Sequence, residues 1–479
     1  MMAMVFGVTL RGLRPRCGMC RSVGRVKPAT VAVFLGLALA GCADQPAPRE
    51  PLAAPAQWRF ASDSQAVVQD ARWWQRFGSA ELDELVGRAQ QDSFDLQAGS
   101  ARLRQAQAAL RIAGAARVPE LDGTFDASRQ GRLGGEADVD GNYFALGLNA
   151  RYELDLWGRN RALRDAARAD WRASRFDLDT LRLSLSAAVA SSWLRSAGLR
   201  ERLDIARLNL ANAEQVLGTV ESRYRAGAAT PLELAQQRGL VAEQRRERAE
   251  LQQQVGDSDT ALAVLLGTPV QGLTLRTRSL QDVDWPRAAA GLPSELLARR
   301  PDVARAEAQL SAADADLAAA RAALFPGVTL GAGIGAGSER SARLFDSPLY
   351  TLGSGLVAPI FNGGRLSAQR DRAAARQAEL LADYRGALIA AFADVDAALN
   401  AIAGLDARLQ AQDEQLRQAR LAFELAESRY RAGAETLLTL LDAQRSLYAA
   451  QDTQVQLRQA RLQASVTLYK ALGGGWQRG

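Results

Sequence analysis

The sequence predicts a mixed α/β membrane protein, mostly long α-helices, with four transmembrane β-strands per chain. Three observations predict it. A proline-free helical stretch runs for about 68 residues, four segments alternate in polarity over membrane-crossing lengths, and the whole plan is written twice.

Composition narrows the chemistry first. The 479 residues include no histidine, which excludes Ser-His-Asp and Cys-His triads and His-ligated zinc. Of the 59 Lys and Arg residues, Arg11, Arg14, Arg16, Arg21, Arg25 and Lys27 lie in the first 41 positions, which contain no acid. Removing these six leaves 53 basic against 53 acidic residues, a net charge of zero, so the high pI does not imply a nucleic-acid partner. The basic stretch precedes an apolar run, 29–40, too short for a membrane span and of the right length for a secretory signal. Leu39-Ala40-Gly41-Cys42 looks like a bacterial lipobox, so residues 1–41 are expected to be removed and Cys42 to carry lipid. Ala43 in place of aspartate favours outer-membrane sorting. Either Met1 or Met19 serves as the start. Cys17 and Cys20 leave with the signal, so no disulfide is expected within the mature chain. Pro46, Pro48, Pro51 and Pro55 mark a tether within the anchored segment 42–80.

The duplication organises the rest. Residues 221–228 and 427–434 both read Glu-Ser-Arg-Tyr-Arg-Ala-Gly-Ala, 206 positions apart. The same offset pairs Gly158-Arg159 with Gly364-Arg365 and Leu266-Gly267 with Leu472-Gly473. Upstream the offset grows by one: Leu103, Ala106, Leu110, Ala113 and Pro119 meet Leu310, Ala313, Leu317, Ala320 and Pro326. A first repeat over 81–270, a linker 271–293, a second repeat 294–473 and a tail 474–479 follow. Each repeat begins with an Ala-rich helix, 82–117 or 294–324. A β-hairpin comes next (121–156 and 328–361), then a long helical hairpin turning at Gly227 or Gly433. A continuous helix of about 68 residues extends about 100 Å and implies a coiled-coil-like assembly.

In the second strand Phe144, Leu146, Leu148, Ala150, Tyr152 and Leu154 alternate with Asn149, Arg151 and Glu153. The other strands are marked by Leu121, Phe125 and Ala127, by Val328, Leu330, Ala332, Ile334 and Ala336, and by Leu352, Leu356 and Ile360. In lipid every backbone N–H and C=O needs a partner, so four strands cannot stand as an open sheet. The smallest such barrels have about eight strands, and three chains contributing four each would give twelve. Both hairpins return to the same side, so all helices share one compartment, which Cys42 makes the periplasm.

Several motifs then carry a resemblance. Residues 291–302 (GLPSELLARRPD), Ala306-Glu307, Leu324-Phe325-Pro326, 152–158 (YELDLWG), 359–364 (PIFNGG), 441–447 (LDAQRSL), 469–476 (YKALGGGW) and Trp73-Trp74 with Phe77 resemble TolC-family outer-membrane efflux lipoproteins of the OprM/NodT type. The resemblance implies a homotrimer whose 12-stranded β-barrel stands on a periplasmic α-barrel. It implies a passive exit duct for drugs and small toxic molecules, fed by an inner-membrane RND-type pump through a periplasmic adaptor. Neither enzyme activity nor any cofactor beyond the lipid on Cys42 is implied. It places the periplasmic aperture at Leu438, Asp442 and Arg445, and gate cross-links at Tyr430, Arg445 and the partner position Glu233. Thr439 departs from relatives that carry a second aspartate ring. The same fold serving metal-ion efflux or polypeptide secretion is the alternative, and a spacer lipoprotein without a pore is the weaker one.

Overall fold

The computed structural model describes residues 53–60, 71–136, 141–286 and 290–478. The signal peptide, Cys42 and most of the tether lie outside the described residues. After a short 3-10 turn at Trp73–Phe77, the first repeat comprises α1 (Ala80–Asp92), α2 (Phe94–Ala115), β1 (Glu120–Gln130), β2 (Gly141–Leu154), α3 (Arg159–Arg225) and α4 (Pro231–Leu265). The second comprises α5 (Pro293–Arg299), α6 (Pro301–Ala322), β3 (Gly327–Ser338), β4 (Pro348–Val357), α7 (Arg365–Arg431) and α8 (Leu437–Ala471).

Each Ala-rich segment, expected as one helix, is broken at an equivalent place. Ser93, extended at ψ 124°, separates α1 from α2, and Arg300, at ψ 120°, separates α5 from α6. Pro301 forces the second break, because the residue before a proline is pushed out of the helical region. Arg300 then ties the corner. Its guanidinium forks onto Asp302 at 3.0 and 2.7 Å and also donates to Asp394 of α7 and the Ala471 carbonyl of α8. Burial alone would raise the Asp302 carboxyl, but the Arg300 hydrogen bonds and charge outweigh it and hold it low. The glycines after α8 allow the approach: at Gly473, φ +86°, a Cβ would overlap the Arg299 carbonyl.

The main core gathers where these corners meet the middle of α3. Trp73 stacks on Tyr469 with centroids 5.4 Å apart and meets Trp74 edge-on at 5.9 Å. The linker is pinned here by two buried carboxylates. Glu81 accepts from the N–H groups of Arg276 (2.5 Å) and Thr277 (3.1 Å) and from Trp193 Nε1 (3.0 Å), and Glu201 accepts from the Leu280 N–H at 2.7 Å.

The four strands form one antiparallel sheet in the order β1-β2-β3-β4, so the two repeats are joined through β2 and β3. Leu148 faces Ile334, and Ile334 faces Tyr350. One face therefore carries Leu121, Phe125, Leu146, Leu148, Ile334, Tyr350 and Leu352, all exposed. The other carries Asp122, Thr124, Asn149 and Thr351, opposite a row of glycines at 331, 333, 335 and 337. A Cβ on Gly333 would lie 2.8 Å from Asn149 Oδ1, so these polar side chains lean across the glycine row. β4 stops at Val357, short of the expected Ile360, because Pro359 has no N–H to give a ladder.

Strand and helix are joined at Trp157, whose ring stacks on Phe325 at 4.7 Å while Nε1 donates to the Pro326 carbonyl at 2.7 Å. Asp155 caps α3, accepting from the N–H groups of Asn160 and Arg161 at 2.9 and 2.8 Å.

Burial raises the Glu81 carboxyl, but its three donors together bring it below the ordinary glutamate range. Its stabilisation is therefore complete above the unfolded pKa and is lost as pH falls through the lower folded value. Glu81→Gln should remove about 1–3 kcal/mol, because an amide NH2 then faces donors. Thermal unfolding of the detergent-solubilised protein across acid pH should show the wild type converging on the variant.

Candidate functional site: the helical hairpin tips

At one end of the molecule the paired helices turn around. The identical octapeptides produce identical helix ends. Gly227 and Gly433 take φ of 74° and 75°, and their N–H groups return to the carbonyls of Tyr224 and Tyr430, both at 3.0 Å. Ala228 and Ala434 close the second bond of each motif, to Arg223 at 2.8 Å and Arg429 at 2.9 Å.

The return helices start differently. α4 begins with a capping box: Glu233 N–H donates to Thr230 Oγ1, while Glu233 Oε2 accepts from the Thr230 N–H at 2.6 Å. In α8 Thr436 caps Thr439, which offers no carboxylate, and Glu435 supplies one from outside the helix. Its Oε1 accepts from Thr436 N–H at 3.0 Å and Thr439 Oγ1 at 3.1 Å. The Thr436 N–H is the chief cause of a lowered Glu435 carboxyl, with Arg429 nearby at 3.7 Å.

The two tips lock onto each other. A shared core of Val216, Val220 and Leu234 with Phe423, Leu437, Leu440 and Leu441 fills the space between the hairpins. Over it Arg223 lies on the ring of Tyr430, 4.7 Å from the centroid, and donates to the Tyr430 carbonyl at 2.8 Å. Tyr430 is 2% exposed, and among the described residues its hydroxyl has no hydrogen-bond partner. Burial raises this phenol; Glu233 adds to the rise and Arg223 opposes it. Glu233 is thus close to Tyr430 but forms no hydrogen bond with it inside the chain, its carboxylate being engaged with Thr230.

Leu438, Asp442 and Arg445 share one exposed face of α8, while Leu437, Leu440, Leu441 and Gln444 fill the opposite face. Leu438 is 68% exposed, and its counterpart in the first repeat, Leu232, is 66% exposed. Arg445 stands at the rim of a groove floored by α3 and walled by α4 and α8, near Glu243, Glu247 and Asp452. Among the described residues it forms no ion pair with Asp442. Two residues that contribute to the tips were not foreseen from sequence, Arg223 and Glu435. The repeated octapeptide contains both arginines, but nothing in it says which one would find a tyrosine. Among the described residues no group of three or more acidic or thiol side chains is placed to hold a metal.

A family model described as outer membrane efflux protein matches residues 85–268 and 292–474. The pyoverdine export outer membrane protein OpmQ of Pseudomonas aeruginosa is 53% identical over 452 residues, covering 92% of this chain and 95% of that protein. The cation efflux system protein CusC of Escherichia coli K12 is 33% identical over 452 residues, covering 92% and 98%. Among solved structures, the outer-membrane channel OprN superposes with a TM-score of 0.84 at 29% identity, covering 91% of this chain and all of that one.

Arg223→Ala should loosen the lock between the tips by about 1 kcal/mol. Hydrogen exchange by mass spectrometry should then speed up about fivefold in peptides spanning the two turns, with the sheet unchanged.

Proposed function

The chain belongs to the outer membrane efflux protein family, and from that premise we propose that three copies form one passive exit duct of a tripartite pump. The observation that carries the reading is the sheet. One face is apolar and exposed, the other largely polar and glycine-rich, and among the described residues β1 and β4 each leave an edge without a partner. Such a sheet is stable in a bilayer only when copies join edge to edge, and three copies make a twelve-stranded barrel with the polar face around the lumen. The lipid on Cys42 would anchor each chain at the periplasmic side of the outer membrane. The 67-residue helices would continue the duct about 100 Å into the periplasm, toward an adaptor and an inner-membrane RND-type pump.

The tips form the periplasmic mouth in this reading. Three Leu438 side chains narrow it and three Asp442 carboxylates ring it, with Arg445 one turn further along each α8. A ring of like charge at a constriction concentrates cations and repels anions. Tyr430, held by Arg223 and flanked by Glu233, keeps the two hairpins of a protomer together.

The duct meets cargo already selected by its pump. Small exported chelators are the cargo class with most support, because the relative at 53% identity is named for pyoverdine export. Metal cations are the second reading, from the relative at 33% named for cation efflux.

In planar bilayers the trimer should conduct with cation preference, and Asp442→Ala should lower that preference. Unchanged reversal potentials would remove Asp442 from the mouth. A deletion strain should retain chelator in the periplasm and release less to the medium, while keeping wild-type tolerance of metal cations. Metal sensitivity with normal chelator export would favour the second reading.

A further inference from the structure

The tips contain an unmatched half of a repeated contact. Arg223 and Tyr430 form the clasp between repeats, yet their counterparts, Arg429 and Tyr224, sit in an identical octapeptide and do not meet. Tyr430 is buried, whereas Tyr224 is 41% exposed. Arg429 is exposed, with the Glu435 carboxylate 3.7 Å away. Leu425 and Leu421, one and two turns before Arg429, are also exposed, so this flank of α7 is an apolar strip ending in a guanidinium. In the chain the first-repeat helix α3 packs against α8 of the second. In a ring of alternating repeats the next contact of the same kind sets α7 against α4 of the neighbouring copy.

We propose that Arg429 of each protomer lies on the Tyr224 ring of the next and donates to its carbonyl, repeating between subunits the clasp that Arg223 and Tyr430 make within one. This rests on the trimeric duct proposed above. The occupant of the exposed strip is thus a second copy of this chain, and the closed mouth holds six arginine–tyrosine clasps, three of them between subunits.

The two kinds of boundary do not share every contact. Within the chain, α3 and α8 are also joined by Tyr448 Oη donating to the Asn209 carbonyl at 3.1 Å and by the Arg202–Asp452 ion pair at 2.5 Å. The counterparts of the first pair are Ala242 and Gln415, and those of the second are Arg246 and Arg408. One bond is lost and the other becomes two arginines. Of these three contacts, the Arg429–Tyr224 clasp is the one that the boundary between subunits keeps.

The test replaces Tyr224 with photoreactive benzoyl-phenylalanine, which keeps an aromatic ring there, in the full lipid-bearing chain. Irradiation should give adducts at dimer and trimer mass, and peptide mapping should place the attachment in the segment containing Arg429. The pair Arg429→Cys and Tyr224→Cys, bridged by a short bis-thiosulfonate, should cross-link between chains where each single variant does not. The pair Arg223→Cys and Tyr430→Cys should cross-link within one chain. Native mass spectrometry runs alongside. A trimer with no adduct near Arg429 overturns the clasp and leaves the duct standing, and a monomer overturns both.

Discussion

The unpaired edge of a β-strand in hydrocarbon is the constraint on which the molecule turns. Water satisfies free N–H and C=O groups at the margin of a soluble sheet; lipid does not, and each bare group there costs several kcal/mol. Among the described residues the sheet presents two such edges, on β1 and β4, and its apolar face is exposed. Joining β2 to β3 makes one sheet of the two repeats, so that a single subunit contributes one arc with two ends. Sister subunits are the partners that can close it with matching register.

Below the sheet the same economy of two copies governs the helices. Each repeat uses one octapeptide to stop a 67-residue helix and reverse it, through a left-handed glycine that any other residue would strain. Divergence starts one residue past the octapeptide. The first repeat restarts its helix with Thr230 and Glu233 as a closed capping box. The second has Thr439 at the matching position and takes its carboxylate from Glu435 instead. That choice leaves the first turn of α8 without a charged side chain on the face where Leu438 stands. One outcome, a capped helix, is thus reached by two routes with different surfaces.

Much of this was legible in the sequence, for identifiable reasons. Strand alternation, the absence of proline and glycine's place after each long helix are local signals, and they placed four strands, two long helices and two turns within a few residues. The breaks at Ser93 and Arg300 were not read. Pro301 was the available sign for the second, and Ser93 carries no comparable mark. The end of β4 at Val357 was recoverable from Pro359. The tip clasp was out of reach, because two identical octapeptides fold alike locally and only the packing of α3 on α8 decides which tyrosine is covered. Glu233 illustrates the same limit: from sequence it is a free partner for Tyr430, but in three dimensions its nearest donors are its own helix cap.

The glycine row of β3 bears on traffic through the outer end of the duct. Where β3 offers only backbone, the neighbouring strands supply the side chains: Asn149 and Thr351 lean over Gly333, and the Tyr143 phenol lies over Gly337. The width left for a passing solute beside β3 is therefore set by β2 and β4, and bulk added to the glycine row would have to displace those side chains first.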